Sequence, residues 1–203
     1  MSGNRIANII LALVVLGVGI SAYAEWVTYR TRKDAELLVL ELHNMKVGES
    51  SAAEVQKLHD SHRRFFVKQT STCSNDVCII DFNYPKSLMA KLGLASDIQL
   101  GVRLQVYRGQ LATVIMDLVC YTKGRDYGVY VVDVIRGDSL DQEGPFRISN
   151  VRGNTTRVRM TPDAPKLQRD RAYSLGLKCF DHIGRCRSKG ELLPALAAEV
   201  VAH

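Results

Sequence analysis

The residues with the clearest chemical potential are five cysteines, which form two close pairs and a single residue. Four residues separate Cys73 from Cys78, and six separate Cys179 from Cys186. In an exported protein each pair is well placed for a local disulfide, because turn-compatible residues lie between the partners. Cys120 lies in an apolar run, and we interpret it as a small buried side chain. The spacing predicts a disulfide within each pair and leaves cross-pairing open.

Zinc binding is the alternative chemistry for the paired cysteines, either all four together or three of them with His182. Zinc ribbons usually space their ligands two to four residues apart, so the longer gap before Cys186 fits this type of site poorly. His59 and His62 share one face of a predicted helix. We interpret both as partly exposed polar residues and expect neither a metal nor a cofactor.

Motifs for nucleophilic or nucleotide chemistry do not occur in the sequence. It contains no G-x-S-x-G around a serine, no G-x-x-x-x-G-K-[ST] phosphate loop and no G-x-G-x-x-G. Asp117 and Asp133 lie on consecutive predicted strands, and we expect them to face solvent instead of forming an acid–base pair. The sequence therefore predicts no catalytic residue and no enzymatic activity.

Positive charge is concentrated in one part of the chain, whose formal net charge is +6. Residues 25–146 carry 15 basic and 16 acidic residues, whereas residues 147–189 carry 11 and 3. Such a region suits anionic lipid, an anionic glycan or an acidic protein, or it serves only as a solvated surface. We expect no nucleic-acid partner in an exported protein, since few aromatic residues lie among these cations. The predicted basic surface consists of Arg147, Arg152, Arg157, Arg159, Arg169, Arg171, Arg185 and Arg187.

An uncharged apolar segment at residues 6–24 decides the compartment. As a helix it would cover about 28 Å, close to the roughly 30 Å hydrocarbon core of a bilayer. Trp26 and Tyr29 follow it, where interfacial aromatic residues anchor a membrane helix. The same segment also fits a secretory signal whose A-x-A cleavage site ends at Ala24. Membrane anchoring through residues 6–24 is the prediction, and secretion after cleavage at Ala24 is the alternative.

The topology signals disagree with one another. Arg30, Arg32 and Lys33 follow the apolar segment while Arg5 precedes it, an asymmetry that by the positive-inside rule would leave the domain in the cytoplasm. The cleavage-like site, the short N-terminal tail and the paired cysteines favour export. We therefore expect an inner-membrane anchor with its domain in the periplasm.

The elements that position these residues follow from hydrophobic periodicity. After a tail at 1–5 and the span at 6–24, we predict a juxtamembrane helix at 25–45 and a single domain at 46–203. A capping-box pattern at Ser51 and Glu54 begins a second helix that ends near His62. Further helical segments are predicted at 86–92 and 191–201, and strands at 77–83, 98–107, 111–122, 127–135, 146–151, 155–161 and 172–179.

The fold class that these elements predict is α+β. An N-terminal transmembrane or signal helix comes first, and two short helices follow. An antiparallel meander sheet comes next, because short turns without long intervening helices join its strands. A short C-terminal helix closes the domain.

Residues 42–58, LHNMKVGESSAAEVQKL, resemble the opening of SmpA/BamE-like envelope domains, in which a Gly-Ser/Thr pair precedes a short helix and a small antiparallel sheet. Members of that family are lipoproteins that support outer-membrane protein assembly without catalysis, whereas this chain has no cysteine before Cys73 to carry a lipid. The wider pattern adds the span, the C-x4-C pair and the segment CRSKGELLP that begins at Cys186. It resembles uncharacterised membrane-anchored proteins of acidobacterial type.

The resemblance implies a non-catalytic envelope domain with a binding, structural or assembly role, which fits a sheet with a basic C-terminal surface. The alternative function is a zinc- or thiol-dependent protein that uses the paired cysteines.

Overall fold

The computed structural model describes residues 3–84, 88–91, 97–122, 125–136, 144–151 and 155–177. The helices are α1 (Gly3–Asn44), α2 (Ala52–Ser61), a 3-10 turn (Arg63–Phe65), α3 (Leu88–Lys91) and α4 (Lys166–Tyr173). The strands are β1 (Thr72–Cys73), β2 (Val77–Tyr84), β3 (Asp97–Tyr107), β4 (Gln110–Thr122), β5 (Arg125–Ile135), β6 (Phe146–Val151) and β7 (Thr155–Met160). The predicted α+β class is confirmed.

Helix α1 joins the apolar N-terminal segment to the folded domain without a break. It is long and apolar enough to cross a membrane or to act as a signal sequence, and its most apolar window has a mean hydropathy of 2.3 with no residue buried. Burial begins with Ala24 and continues through Leu38 and Leu42, which are fully enclosed in the domain core. The second half of the helix is therefore a core element of the domain.

Helix α2 begins as the capping-box pattern predicts. The Ser51 hydroxyl accepts a hydrogen bond from the Glu54 amide at 3.3 Å, and the Glu54 carboxylate accepts one from the Ser51 amide at 2.7 Å. These bonds satisfy amides that have no partner within the first helical turn. Val55 and Leu58 turn inward, so the local start signal and the apolar spacing agree.

The sheet has the strand order β1-β2-β3-β4-β5-β7-β6. Neighbouring strands are antiparallel except β5 and β7, which run parallel. The predicted meander is therefore correct from β2 to β5, and the predicted β6–β7 hairpin is present. The parallel pairing of β5 with β7 is the departure from the prediction. The β6–β7 hairpin is placed with β7 next to β5 and β6 at the edge of the sheet.

The two faces of the sheet differ in character. Alternate residues of β3, from Ile98 to Val106, are at most 6% exposed and pack in the same core as Leu38 and Leu42 of α1. We call this side the inner face and the opposite side the outer face. Strand β4 lies in the middle of the sheet, as its apolar composition predicts.

The strand predicted at 172–179 is wrong over its described part, because Ala172 and Tyr173 end helix α4. Residues 166–177 contain no β-branched side chain, which removes the main local preference for a strand. Ala172 is fully buried, and its carbonyl accepts a hydrogen bond from the Tyr130 hydroxyl at 2.9 Å. This contact holds α4 on the inner face. The helix predicted at 191–201 lies outside the described residues, and that at 86–92 is present as α3.

Candidate binding face

Two rows of side chains cross the outer face of the sheet. Strand register places Asp81, Arg103, Ile115, Asp133, Arg159 and Arg147 in one row. The adjacent row contains Asn83, Gly101, Asp117, Val131, Arg157 and Ser149. Since side chains alternate along a strand, all twelve positions share one face. The outer face therefore carries most of its charge in two neighbouring rows.

Arg147, Arg157 and Arg159, which we call the arginine cluster, lie at the β7–β6 end of these rows. Asp133 lies between them and β4 and is only 4% exposed. The Nε atoms of Arg157 and Arg159 are 2.9 and 3.6 Å from Asp133 Oδ2, whereas Oδ1 is buried without a hydrogen-bond partner. Among the described residues, one buried carboxylate thus faces two guanidinium groups, so positive charge exceeds negative charge at this place.

Two of the remaining predicted basic residues lie away from the arginine cluster. Arg169 and Arg171 belong to α4, on the inner side of the sheet. Arg169 donates a hydrogen bond to the Pro162 carbonyl at 3.2 Å. Arg152, Arg185 and Arg187 lie outside the described residues. Arg169 and Arg171 therefore do not share a surface with the arginine cluster, although they lie near it in the sequence.

A pocket of about 340 Å³, which we call the carboxylate pocket, opens at the β2–β4 end of the outer face. Asp81 and Arg103 form a bidentate ion pair in its wall, with Nε–Oδ1 and Nη2–Oδ2 distances of 2.8 and 3.0 Å. Asp117 lies against Gly101 at the floor, where a Cβ on residue 101 would be 2.5 Å from Asp117 Oδ1. Glycine at this position therefore lets the carboxylate lie against the backbone of the sheet.

The two carboxylates of the carboxylate pocket titrate in opposite directions. Burial alone would raise the pKa of Asp81, but hydrogen bonds from Arg103 and Thr70 outweigh burial and lower it below the usual range. Burial raises the pKa of Asp117, against the attraction of the Arg103 charge. Arg103 thus pairs with Asp81, and a neighbouring cation neutralises the charge of Asp117 less completely.

Cys73 and Cys78 form the predicted disulfide across the β1–β2 hairpin. They are directly opposite in the strand register, and their Cα atoms are 3.9 Å apart. Cys120 lies on β4, as predicted from its apolar surroundings in the sequence. The second predicted pair, Cys179 and Cys186, lies outside the described residues.

The two helix histidines have different partners. His62 is 3% exposed, with its Nε2 atom 2.9 Å from Glu41 of α1 and its Nδ1 atom 2.8 Å from the Tyr84 hydroxyl. His59 is 3.0 Å from Asp60 through its Nδ1 atom. Val55, Leu58 and one of the two histidines were expected to face the core, and His62 is the one that does. It is enclosed between Glu41 of α1 and Tyr84 at the end of β2, so partial exposure does not hold for it. The pair does not converge on one point where a metal would bind.

Tyr84 also connects the sheet to α1, since its hydroxyl donates to the Asp34 carbonyl at 3.2 Å. Burial raises the pKa of this phenol well above its usual range, so it is protonated at neutral pH. The side chain of Asp34 in turn pairs with Arg64. These contacts fix the position of the sheet along the axis of α1.

Sequence reasoning missed the Asp81–Arg103 pair, the Asp117–Gly101 contact and the His62 network. A glycine inside an otherwise alternating strand was the available signal for the second of these. Among the described residues, no group of three or more His, Cys, Asp or Glu side chains could hold a metal ion. Comparison of the chain with protein-family models, curated proteins and solved structures gives no match.

Proposed function

We propose that this protein is a single-span envelope protein whose extracytoplasmic domain binds an acidic protein partner through the arginine cluster. The observation that carries the proposal is the placement of Arg157 and Arg159 around one buried carboxylate, with Arg147 opposite Arg159 on the next strand. The Arg157 and Arg159 side chains are 36% and 43% exposed, so a ligand can reach them. The proposed role is binding, without catalysis.

The distance of the arginine cluster from the membrane surface favours a protein partner over the lipid of the same membrane. Asp34, which accepts the Tyr84 hydrogen bond, is ten residues beyond Ala24, or about 15 Å along the helix. The strand register aligns Arg157 with Asn83. Asn83 is one residue farther along β2 from the span than Tyr84 is. The Debye length at physiological salt is only about 8 Å, so headgroup charges are strongly screened at this distance.

Retention of α1 and exposure to an oxidising compartment complete the proposal. The helix continues through Ala24 into the core without a change in backbone conformation, which supports an anchor over a cleaved signal. The Cys73–Cys78 disulfide supports a compartment in which disulfides persist, such as the periplasm. Because these two sulfur atoms are joined to each other, neither is a free thiolate for the zinc- or thiol-dependent alternative.

The test uses charge changes of opposite sign on the outer face. The full chain in detergent micelles is titrated with fluorescein-labelled octaglutamate, as a model acidic protein segment, at low and physiological salt. We expect Arg147→Gln and Arg159→Gln to weaken binding by roughly twofold to fivefold and Asp133→Asn to strengthen it, since each charge contributes about 0.5 to 1 kcal/mol. Arg171→Gln on α4 is the matched control and should bind like the unaltered chain.

Two results would overturn the proposal. Equal weakening by Arg171→Gln and Arg147→Gln would mean that net charge alone, and not the arginine cluster, attracts the peptide. Binding to phosphatidylglycerol vesicles that depends on Arg147 and Arg159, without binding to octaglutamate, would identify the ligand as lipid. Thermal melts of each variant exclude loss of folding as the cause of weakened binding.

A further inference from the structure

The carboxylate pocket is a second recessed site on the outer face, at the opposite end from the arginine cluster. Strands β2, β3 and β4 form its floor, and the chain around Val67 and Thr70 forms one wall. That wall is held in place because the Val67 amide donates to the Asp81 carbonyl at 2.8 Å and the Asp81 amide donates to the Ser71 hydroxyl at 3.0 Å. Hydrogen bonds of backbone amides therefore hold this wall against β2.

Gly101 creates the depth of this pocket. A Cβ at residue 101 would lie 2.5 and 2.7 Å from the two carboxylate oxygens of Asp117, closer than any side chain tolerates. Without that Cβ, the Asp117 carboxylate occupies the floor, while the pocket above it remains open to solvent. The ionisable group at the base of the pocket thus depends on a glycine in the neighbouring strand.

The charges in the carboxylate pocket select for a cation. Asp81 and Arg103 neutralise each other through two hydrogen bonds, so Asp117 supplies the net negative charge. Asn83 and Gln99 also line the pocket, and each has a side-chain amide oxygen. An ammonium group has three N–H donors, which matches one carboxylate and two amide oxygens. Val67 and Ile115 provide apolar surface for a short aliphatic chain attached to that group.

We propose that the carboxylate pocket binds a primary ammonium group on a short aliphatic chain, held by Asp117 over Gly101. The group is either a free amine or a lysine side chain of a peptide, since both present the same chemistry. This site is separate from the arginine cluster and does not rely on the function proposed for that cluster.

The test titrates the full chain in detergent micelles with pentylamine, by calorimetry at pH 7.5. We expect saturable binding that weakens about tenfold or more in Asp117→Asn, which keeps the side-chain shape and removes the charge. Gly101→Ala should weaken it as well, because the added Cβ displaces the carboxylate. Asp60→Asn, an exposed carboxylate on α2, is the matched control and should leave binding unchanged. Pentanol, which has a similar length and no charge, should bind at least about tenfold more weakly than pentylamine.

The pH dependence of pentylamine binding provides an independent arm. Because the pKa of Asp117 is raised, acidification should abolish binding at a pH above that at which an ordinary aspartate titrates. Two further titrations distinguish a free amine from a peptide. One uses spermidine, and the other uses a pentapeptide with an acetylated N-terminus and one unmodified lysine; the source is the one that binds more tightly. Absence of saturable pentylamine binding, or equal binding by the unaltered chain and a folded Asp117→Asn variant, would overturn the proposal.

Discussion

Replacement of Leu38 by alanine tests whether α1, which carries the apolar N-terminal segment, is also the core helix of the domain. Leu38 is 0% exposed and belongs to the same core cluster as the inner face of the sheet. Truncation of a fully buried leucine removes its transfer free energy and leaves a cavity, with a combined cost of about 2 to 5 kcal/mol. We therefore expect the Leu38→Ala domain to lose about 3 kcal/mol of unfolding free energy.

Leu37 is the matched control because it is the neighbouring leucine on the same helix and is 47% exposed. Leu37→Ala makes the same chemical change with the same effect on helix propensity, but it opens no cavity in the core. A change at such an exposed position usually stays within about 0.5 kcal/mol. The difference between the two variants therefore isolates the packing of α1 against the sheet.

The assay is urea unfolding of the full chain in detergent micelles, followed by near-ultraviolet circular dichroism of the domain. With a denaturant dependence of about 2 kcal/mol per molar urea, the Leu38→Ala midpoint should fall by roughly 1.5 M. The Leu37→Ala midpoint should stay within about 0.3 M of the unaltered chain. Equal midpoints for the two variants would refute the conclusion that α1 is part of the domain core.

Three further predictions concern the disulfide and the pocket carboxylates. Cys73→Ser with Cys78→Ser should lower the unfolding free energy by about 2 kcal/mol, the chain-entropy estimate for so short a loop, in urea unfolding without reductant. Because the pKa of Asp81 is lowered in the folded state, its ion pair stabilises the domain above the unfolded-state pKa and this stability is lost as the pH falls through the folded-state pKa. A Tm profile from pH 7 to 3 should therefore be flatter for Asp81→Asn than for the unaltered chain. Because the pKa of Asp117 is raised, its ionisation destabilises the folded domain as the pH rises. Asp117→Asn should therefore raise Tm at pH 7, and this gain should disappear in acid. A lower Tm at pH 7 would contradict this prediction.

Local patterns predicted the elements that depend on neighbouring residues. The Ser51–Glu54 cap, the alternation along β3 and the Cys73–Cys78 hairpin each involve residues within a few positions of one another. Their geometry follows from backbone periodicity and short loops, so a single sequence contains the required information.

Most errors of sequence reasoning concern distant partners, although the lack of β-branched side chains at 166–177 was a local signal against the strand predicted at 172–179. Either β6 or β7 could pair with β5, and both arrangements satisfy the same strand pattern. Contacts between distant residues decide that β7 is the partner. Residues 172–173 end a helix because Ala172 packs beneath Tyr130, a contact over forty-two positions. The arginine cluster is separate from Arg169 and Arg171 because its side chains lie on the outer face, whereas α4 packs on the inner face.

The site residues illustrate the same distinction. Asp117 was expected on the solvent side of the sheet, and it does lie on the outer face. Its recessed position depends on Gly101, which the sequence places sixteen residues away and only the β3–β4 register brings opposite. The chemistry of the carboxylate pocket therefore emerges from strand pairing and not from any contiguous motif.

The proposed function depends on one premise, that α1 is a retained anchor that holds the domain outside the cytoplasm. Its most direct test is an alkaline-phosphatase fusion at His203, expressed in a Gram-negative host and assayed in carbonate-washed membranes and in the soluble fraction. We expect an active fusion that stays in the washed membranes. An inactive fusion would place the domain in the cytoplasm, and activity confined to the soluble fraction would show cleavage of the anchor. Either result would contradict the proposed anchoring of the domain outside the cytoplasm.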